Sequence, residues 1–153
     1  MAESLKGELS YRRDFFGLPD TDLRTYSPLT LAYIGDAVYE VVIRSILVLR
    51  GNCPVSQLHK RASSLVKASA QSGMMAVLEP LLSEEEYSVY KRGRNAHSPT
   101  MARHATMGDY RRATGFEVLI GYLYLKEDTG RMLELIRKGL DAGTLSKDTG
   151  PMG

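Results

Sequence analysis

Apolar positions along this chain recur at helical spacing, and no stretch alternates cleanly as a strand would. The longest run, "PLTLAYIGDAVYEVVIRSILVLR" from Pro28, is interrupted only by Thr30, Asp36, Glu40, Arg44 and one serine before its final arginine. Ser27 and Pro28 suit the N-cap and first position of that helix, and Gly51-Asn52 closes it. A second helix is predicted from Pro54 to about Leu78. Its core stripe is Leu58, Leu65, Val66, Met74, Val77 and Leu78, with Gly73 placed to bend or divide it and Pro80 to stop it. Ser83 followed by Glu86 three residues later is a capping-box pattern for a third helix, which Gly93 ends. Residues 94–108 read as a loop. "DYRRATGFEVLIGYLYLKED" and "TGRMLELIRKGLDAG" supply two more helices, the last with Met132, Leu133, Leu135, Ile136 and Leu140 on its apolar face. Residues 1–26 show no sustained period and carry Gly17 and Pro19, so they are expected to form an extended arm with at most one short turn. Residues 143–153 are expected to fray. The predicted class is all-α: an arm (1–26), a helical domain (27–142) and a tail (143–153).

At 153 residues with 43% hydrophobic content the chain can bury one core. Its net charge of +2 conceals an uneven distribution. Lys91, Arg92, Arg94, Arg103, Arg111 and Arg112 face only Asp109 between positions 91 and 112, so this segment carries +5 and the remainder −3. Such a concentration suits a localised anionic partner. Cys53 is the single cysteine, which excludes an intrachain disulfide and suits a reducing compartment. The opening "MAESLKGELSYRRDFF" has no apolar signal-peptide core, and charges at 36, 40 and 44 argue against a membrane span. A cytoplasmic protein without a membrane partner is expected. Cys53, His59, His97 and His104 lack zinc-site spacing, and no phosphate-binding glycine loop or nucleophile elbow is present.

The candidate chemistry lies in two mid-helix acids. Asp36, Glu40 and Arg44 fall within about 80° of one another on a helical wheel. An ion-pair ladder would account for Glu40 and Arg44. Glu117, in "GFEVLIGYLYL", is a second acid in a second strongly apolar helix. Gly35 precedes Asp36, and Gly121 lies one turn beyond Glu117. Glycines permit helices to approach more closely than usual, so a crossing there could bring both carboxylates to one point. Two acids together require a shared proton or a cation. Mg²⁺ suits such a place, because it binds through one or two carboxylates, waters and phosphate oxygens.

These residues also carry a family resemblance. "LAYIGDAVYEVVIR" resembles the signature helix of the ribonuclease III catalytic domain, roughly E-x-x-E-F-L-G-D-A-x-L, and "FEVLIGYLYL" resembles its other metal-ligand helix. With "KRGRNAHS" between them, the pattern over residues 27–142 is similar to the Mini subfamily, which consists of the catalytic domain without a double-stranded-RNA-binding domain. The resemblance implies a homodimeric helical bundle in which Asp36 and Glu117 are catalytic through the metal they bind, and Tyr33 reaches across the dimer interface. Two family carboxylates are replaced here, by Ala32 and Thr114. The Mini subfamily shows similar losses.

The implied activity is Mg²⁺-dependent cleavage of double-stranded RNA, with Mn²⁺ able to substitute, leaving 5′-phosphates and 3′-hydroxyls. The implied role is maturation of the 5′ and 3′ ends of 23S ribosomal RNA precursor, and a ribosomal-protein stimulator is compatible with it. Lys91, Arg92, Arg94, Asn95, Ser98, Arg103, Arg111 and Arg112 are the RNA-binding candidates, since A-form duplexes are read by phosphate and 2′-hydroxyl contacts. Glu40 could orient a metal water, although its ion pair with Arg44 is the simpler reading. Leu29 and Ala37 join Tyr33 as interface candidates. Two other readings remain at this point: a catalytically inactive module that binds structured RNA, and a helical dimeric adaptor with Asp36 and Glu117 in salt bridges.

Overall fold

The computed structural model describes residues 2–96 and 106–145, and every regular element among them is helical. The helices are α1 (Ala2–Phe15), α2 (Pro28–Arg50), α3 (Val55–Val66), α4 (Ala68–Leu78), α5 (Glu84–Arg94), α6 (Met107–Leu125) and α7 (Thr129–Leu145), with single 3₁₀ turns at Leu23–Thr25 and Glu79–Leu81. No helix among the described residues is long and apolar enough to cross a membrane.

Local chemistry sets several boundaries. The Ser27 hydroxyl accepts the Thr30 N–H at 3.3 Å, Pro28 follows it, and Gly51 leaves the helix at φ 149°, where a side chain would be strained. At α5 the capping box is complete: Ser83 Oγ accepts from Glu86 N–H at 3.1 Å, and Glu86 Oε1 accepts from Ser83 N–H at 2.9 Å. Thr106 caps α6 by accepting from Asp109 N–H at 3.0 Å, so that helix starts at Met107.

Four local expectations are corrected. The arm contains the fourteen-residue helix α1, anchored by Ser10 Oγ donating to Glu127 at 2.9 Å and Arg12 donating to the Tyr124 hydroxyl at 2.8 Å. The single helix expected over 54–78 is two, broken at Lys67, whose extended ψ of 156° both ends α3 and opens α4. Gly73 lies inside α4 facing open space. The break resets the helical phase, so Met75 is buried while Val77 is 40% exposed. Gly93 does not end α5, which continues to Arg94; a Cβ there would lie 2.7 Å from Val118 Cγ2, so the glycine serves helix packing.

The most extensive helix contact is that of α2 with α6, and α4, α5 and α7 all pack against α6 as well. Tyr39 and Ile43 of α2 meet Phe116, Leu119, Ile120 and Leu123 of α6, Met74, Met75 and Leu78 of α4, and Leu135 and Ile136 of α7 in one core. Tyr39 packs edge-on against Phe116 at 5.0 Å, and its hydroxyl donates to the Leu65 carbonyl at 3.0 Å, so this buried polar atom is satisfied. A smaller cluster of Leu31, Ala32, Val89 and Val118 continues the core toward the start of α2.

Candidate active site

The α2–α6 crossing is closed by glycine. A Cβ on Gly35 would collide with the Glu117 carbonyl oxygen and lie 2.8 Å from Gly121 N. A Cβ on Gly121 would collide with the Leu31 carbonyl. Backbone therefore rests on backbone here, without the usual intervening layer of side chains. Asp36, the next residue on α2, emerges beside Glu117 on α6 as a direct result.

The two acids are not equivalent. Asp36 is exposed at the rim, whereas Glu117 is partly buried beneath it. The expected burden of a buried carboxylate thus falls on Glu117. Burial and then the neighbouring Asp36 charge, together with a hydrogen bond between the two carboxyls, push the Glu117 pKa up to about 8. Among the described residues the one opposing influence is the Gln71 amide, which draws it down. No group of three or more His, Cys, Asp or Glu side chains able to hold a metal occurs among the described residues. The donor set is therefore a carboxylate pair with an open outer side. It lacks the ligands of a closed zinc site, but it fits a hard cation that retains waters and takes phosphate oxygens.

The two positions at which the resemblance would have further acids are shut. Ala32 is 8% exposed and belongs to the small core cluster. Thr114 is 6% exposed, and its hydroxyl donates to the Tyr110 carbonyl at 3.0 Å, within its own helix. Glu40 pairs with Arg44 at 3.3 Å, giving the ladder that its spacing suggested.

The basic candidates divide by environment. Lys91 and Arg111 are exposed. Arg92 donates to the Tyr26 carbonyl at 3.3 Å, and Arg94 pairs with Glu79 at 3.6 Å while lying 5.7 Å from the Tyr90 ring centre. Arg112 donates to Ser72 Oγ at 2.6 Å and pairs with Asp109 at 3.2 Å, which places a cation roughly 7.5 Å along α6 from Glu117. Asn95 is the exposed C-cap of α5. Ser98 and Arg103 lie outside the described residues, as do His97 and His104. Tyr33 is 82% exposed on α2, with Leu29 and Ala37 also exposed.

Sequence reasoning missed Gln71. It is 1% exposed, and together with Met74, Met75 and Leu78 it forms the buried face of α4. The spacing 71, 74, 75 and 78 is a helical stripe, so an amide at its first position was the available signal.

Comparison with known proteins agrees with this architecture. Residues 29–128 match the Ribonuclease III domain family. A Mini-ribonuclease 3 from Clostridium tetani is 46% identical over 129 residues, covering 82% of this chain and 85% of the relative. One from Brevibacillus brevis is 46% identical over 112 residues, covering 73% and 84%. A crystal structure of a Fusobacterium nucleatum protein superposes with a TM-score of 0.73 at 31% identity, covering 80% of this chain and 98% of that one.

Proposed function

The chain belongs to the ribonuclease III family and is an endoribonuclease, and on that premise we propose that it is a Mg²⁺-dependent homodimer that cuts double-stranded RNA at the Asp36–Glu117 pair. The observation that carries this reading is the carboxylate pair itself, held at a glycine-closed crossing where no basic side chain of the described residues acts on Glu117. Metal-free, the pair retains a proton on Glu117 well above the usual carboxylate range. A divalent cation would displace that proton and relieve the repulsion.

Asp36 and Glu117 would hold the ion, Asp36 from the exposed rim and Glu117 from the wall below. Bound Mg²⁺ supplies a water acidic enough to attack a phosphodiester and positive charge to balance the transition state. The chain's own part is positional. Glycine contact fixes the two carboxylates, and with Ala32 and Thr114 closed, waters and RNA phosphate would supply an ion's other ligands. Arg111 and Arg112 on α6, with Lys91 and Arg92 in the last turn of α5, would attract the duplex backbone.

A duplex has two strands and each chain one such pair, so a two-fold dimer would present one pair to each strand. The exposed Tyr33, on the same helix as Asp36, supports α2 as the pairing face. The family resemblance extends the substrate to the duplex stems at the ends of 23S ribosomal RNA precursor.

The test is cleavage of an end-labelled pre-ribosomal RNA duplex in Mg²⁺ or EDTA by wild type and Asp36→Asn. Staggered cuts that require Mg²⁺ and fall by more than about 100-fold in the variant are expected, beyond the cost of losing an outer partner of a metal ligand. Bound but intact RNA under every condition would overturn the reading.

A further inference from the structure

Gln71 is buried to 1% exposure, and its Nε2 has no hydrogen-bond partner among the described residues. An unpaired buried amide is a cost that most proteins avoid, and its persistence calls for a partner. The surroundings identify that partner. Gln71 stands on α4 against Glu117 of α6, close enough for its amide to act on that carboxyl. Its neighbour Ser72 accepts a hydrogen bond from Arg112 of α6 at 2.6 Å, which locks this face of α4 against α6.

We infer that Gln71 is a positioning residue for the metal site: its Nε2 holds one oxygen of the ionised Glu117 carboxylate and thereby aims the other at the cation. This rests on the Asp36–Glu117 pair being the metal site. A carboxylate accepts at both oxygens, and a metal ligand is best fixed when its second oxygen has a donor. α2 supplies Asp36 and α6 supplies Glu117, so Gln71 brings a third helix to the site. Where other family members have more carboxylates, this chain has Ala32 and Thr114 turned into the core, and orientation of Glu117 depends correspondingly more on the amide.

The roles of scaffold and positioner move different quantities. Gln71→Met keeps the side-chain length while removing the amide. Its melting temperature in metal-free buffer should be unchanged or raised, because an unpaired buried donor has been removed. Its affinity for Mn²⁺, measured by electron paramagnetic resonance of the free ion, should fall about tenfold or more. The metal concentration for half-maximal cleavage should rise in parallel, while the rate at saturating metal changes less. If Gln71→Met does not fold, Gln71→Asn, which retains the amide but withdraws it by one methylene, is read in the same way. A lowered melting temperature with unchanged Mn²⁺ affinity overturns the inference and leaves Gln71 a packing residue. The site reading is checked separately: wild type must bind Mn²⁺ and Asp36→Asn must not. Wild type that binds no Mn²⁺ overturns both readings, whereas equal binding by wild type and Gln71→Met overturns this one alone.

Discussion

Glu86 on α5 and Glu117 on α6 are both drawn into the helical assembly, and their surroundings differ at every point. Glu86 is 6% exposed and fully partnered. Arg131 of α7 grips it through Nε and Nη2, both at 2.8 Å, and the Ser83 N–H adds a third bond. Arg131 in turn donates to the Leu81 carbonyl at 2.9 Å. The result is a carboxyl held below its usual range, chiefly by Arg131. Among the described residues no basic side chain acts on Glu117; a second acid and the Gln71 amide face it, and its pKa rises to about 8. The same residue type thus serves as a fastening where its charge is matched and becomes a candidate site where matching is withheld.

The largest expected consequence is pH dependence without metal. Folded Glu117 keeps its proton up to about 8, whereas the unfolded chain releases it near 4.5. The associated stability is intact below pH 4.5 and is lost progressively as pH rises toward 8, by at most about 1.4 kcal/mol per unit. Glu117→Gln has no proton to lose. In EDTA it should match wild type near pH 4.5 and exceed it increasingly toward pH 8 in urea melts, and added Mg²⁺ should narrow the gap. Parallel curves would mean that Glu117 is as well satisfied as Glu86.

The opposite result is expected at Glu86. Arg131→Met leaves a buried carboxylate without its cation, and breaking such a pair costs about 3 kcal/mol or more. The measurement is a denaturant midpoint at pH 7. Destabilisation should ease as pH falls and Glu86 is protonated. RNA cleavage by the folded fraction should remain intact, since Arg131 serves the scaffold alone.

The contrast also explains what could be read from sequence. Ser27-Pro28 and Ser83 with Glu86 are helix starts because capping is local chemistry, complete within four residues. Gly35 beside Asp36 and Gly121 one turn past Glu117 revealed the crossing, because only glycine tolerates that backbone approach. The helix in residues 2–15 escaped notice for a physical reason: Tyr11 and Phe15, its large apolar side chains near the C-terminal end, are 71% and 72% exposed, so no core imposes a period on them. The break at Lys67 involves neither glycine nor proline, so no local signal marks it. Gly93 looked like a terminator but serves contact with Val118, a partner 25 residues away that no local pattern reveals. Gln71 escaped because its meaning lies in an absent bond.

A third glutamate gives the comparison its smallest and most discriminating test. Glu40 lies one turn from Asp36, close enough in sequence to be taken for part of the site, yet it pairs with Arg44 at 3.3 Å, the two side chains being 37% and 59% exposed. An exposed i,i+4 pair of this kind contributes about 0.3–0.5 kcal/mol. Glu40→Gln should therefore shift a urea midpoint by no more than that, with the small difference fading in high salt. Its effect on cleavage separates the two roles. A carboxylate that orients a site water would cost roughly 10–100-fold when replaced, whereas one occupied by Arg44 in solvent should cost less than tenfold. A larger loss with unchanged stability would move Glu40 from the surface ladder into the same class as Glu117. A small one would confine the functional acids to the pair that the glycine crossing brings together.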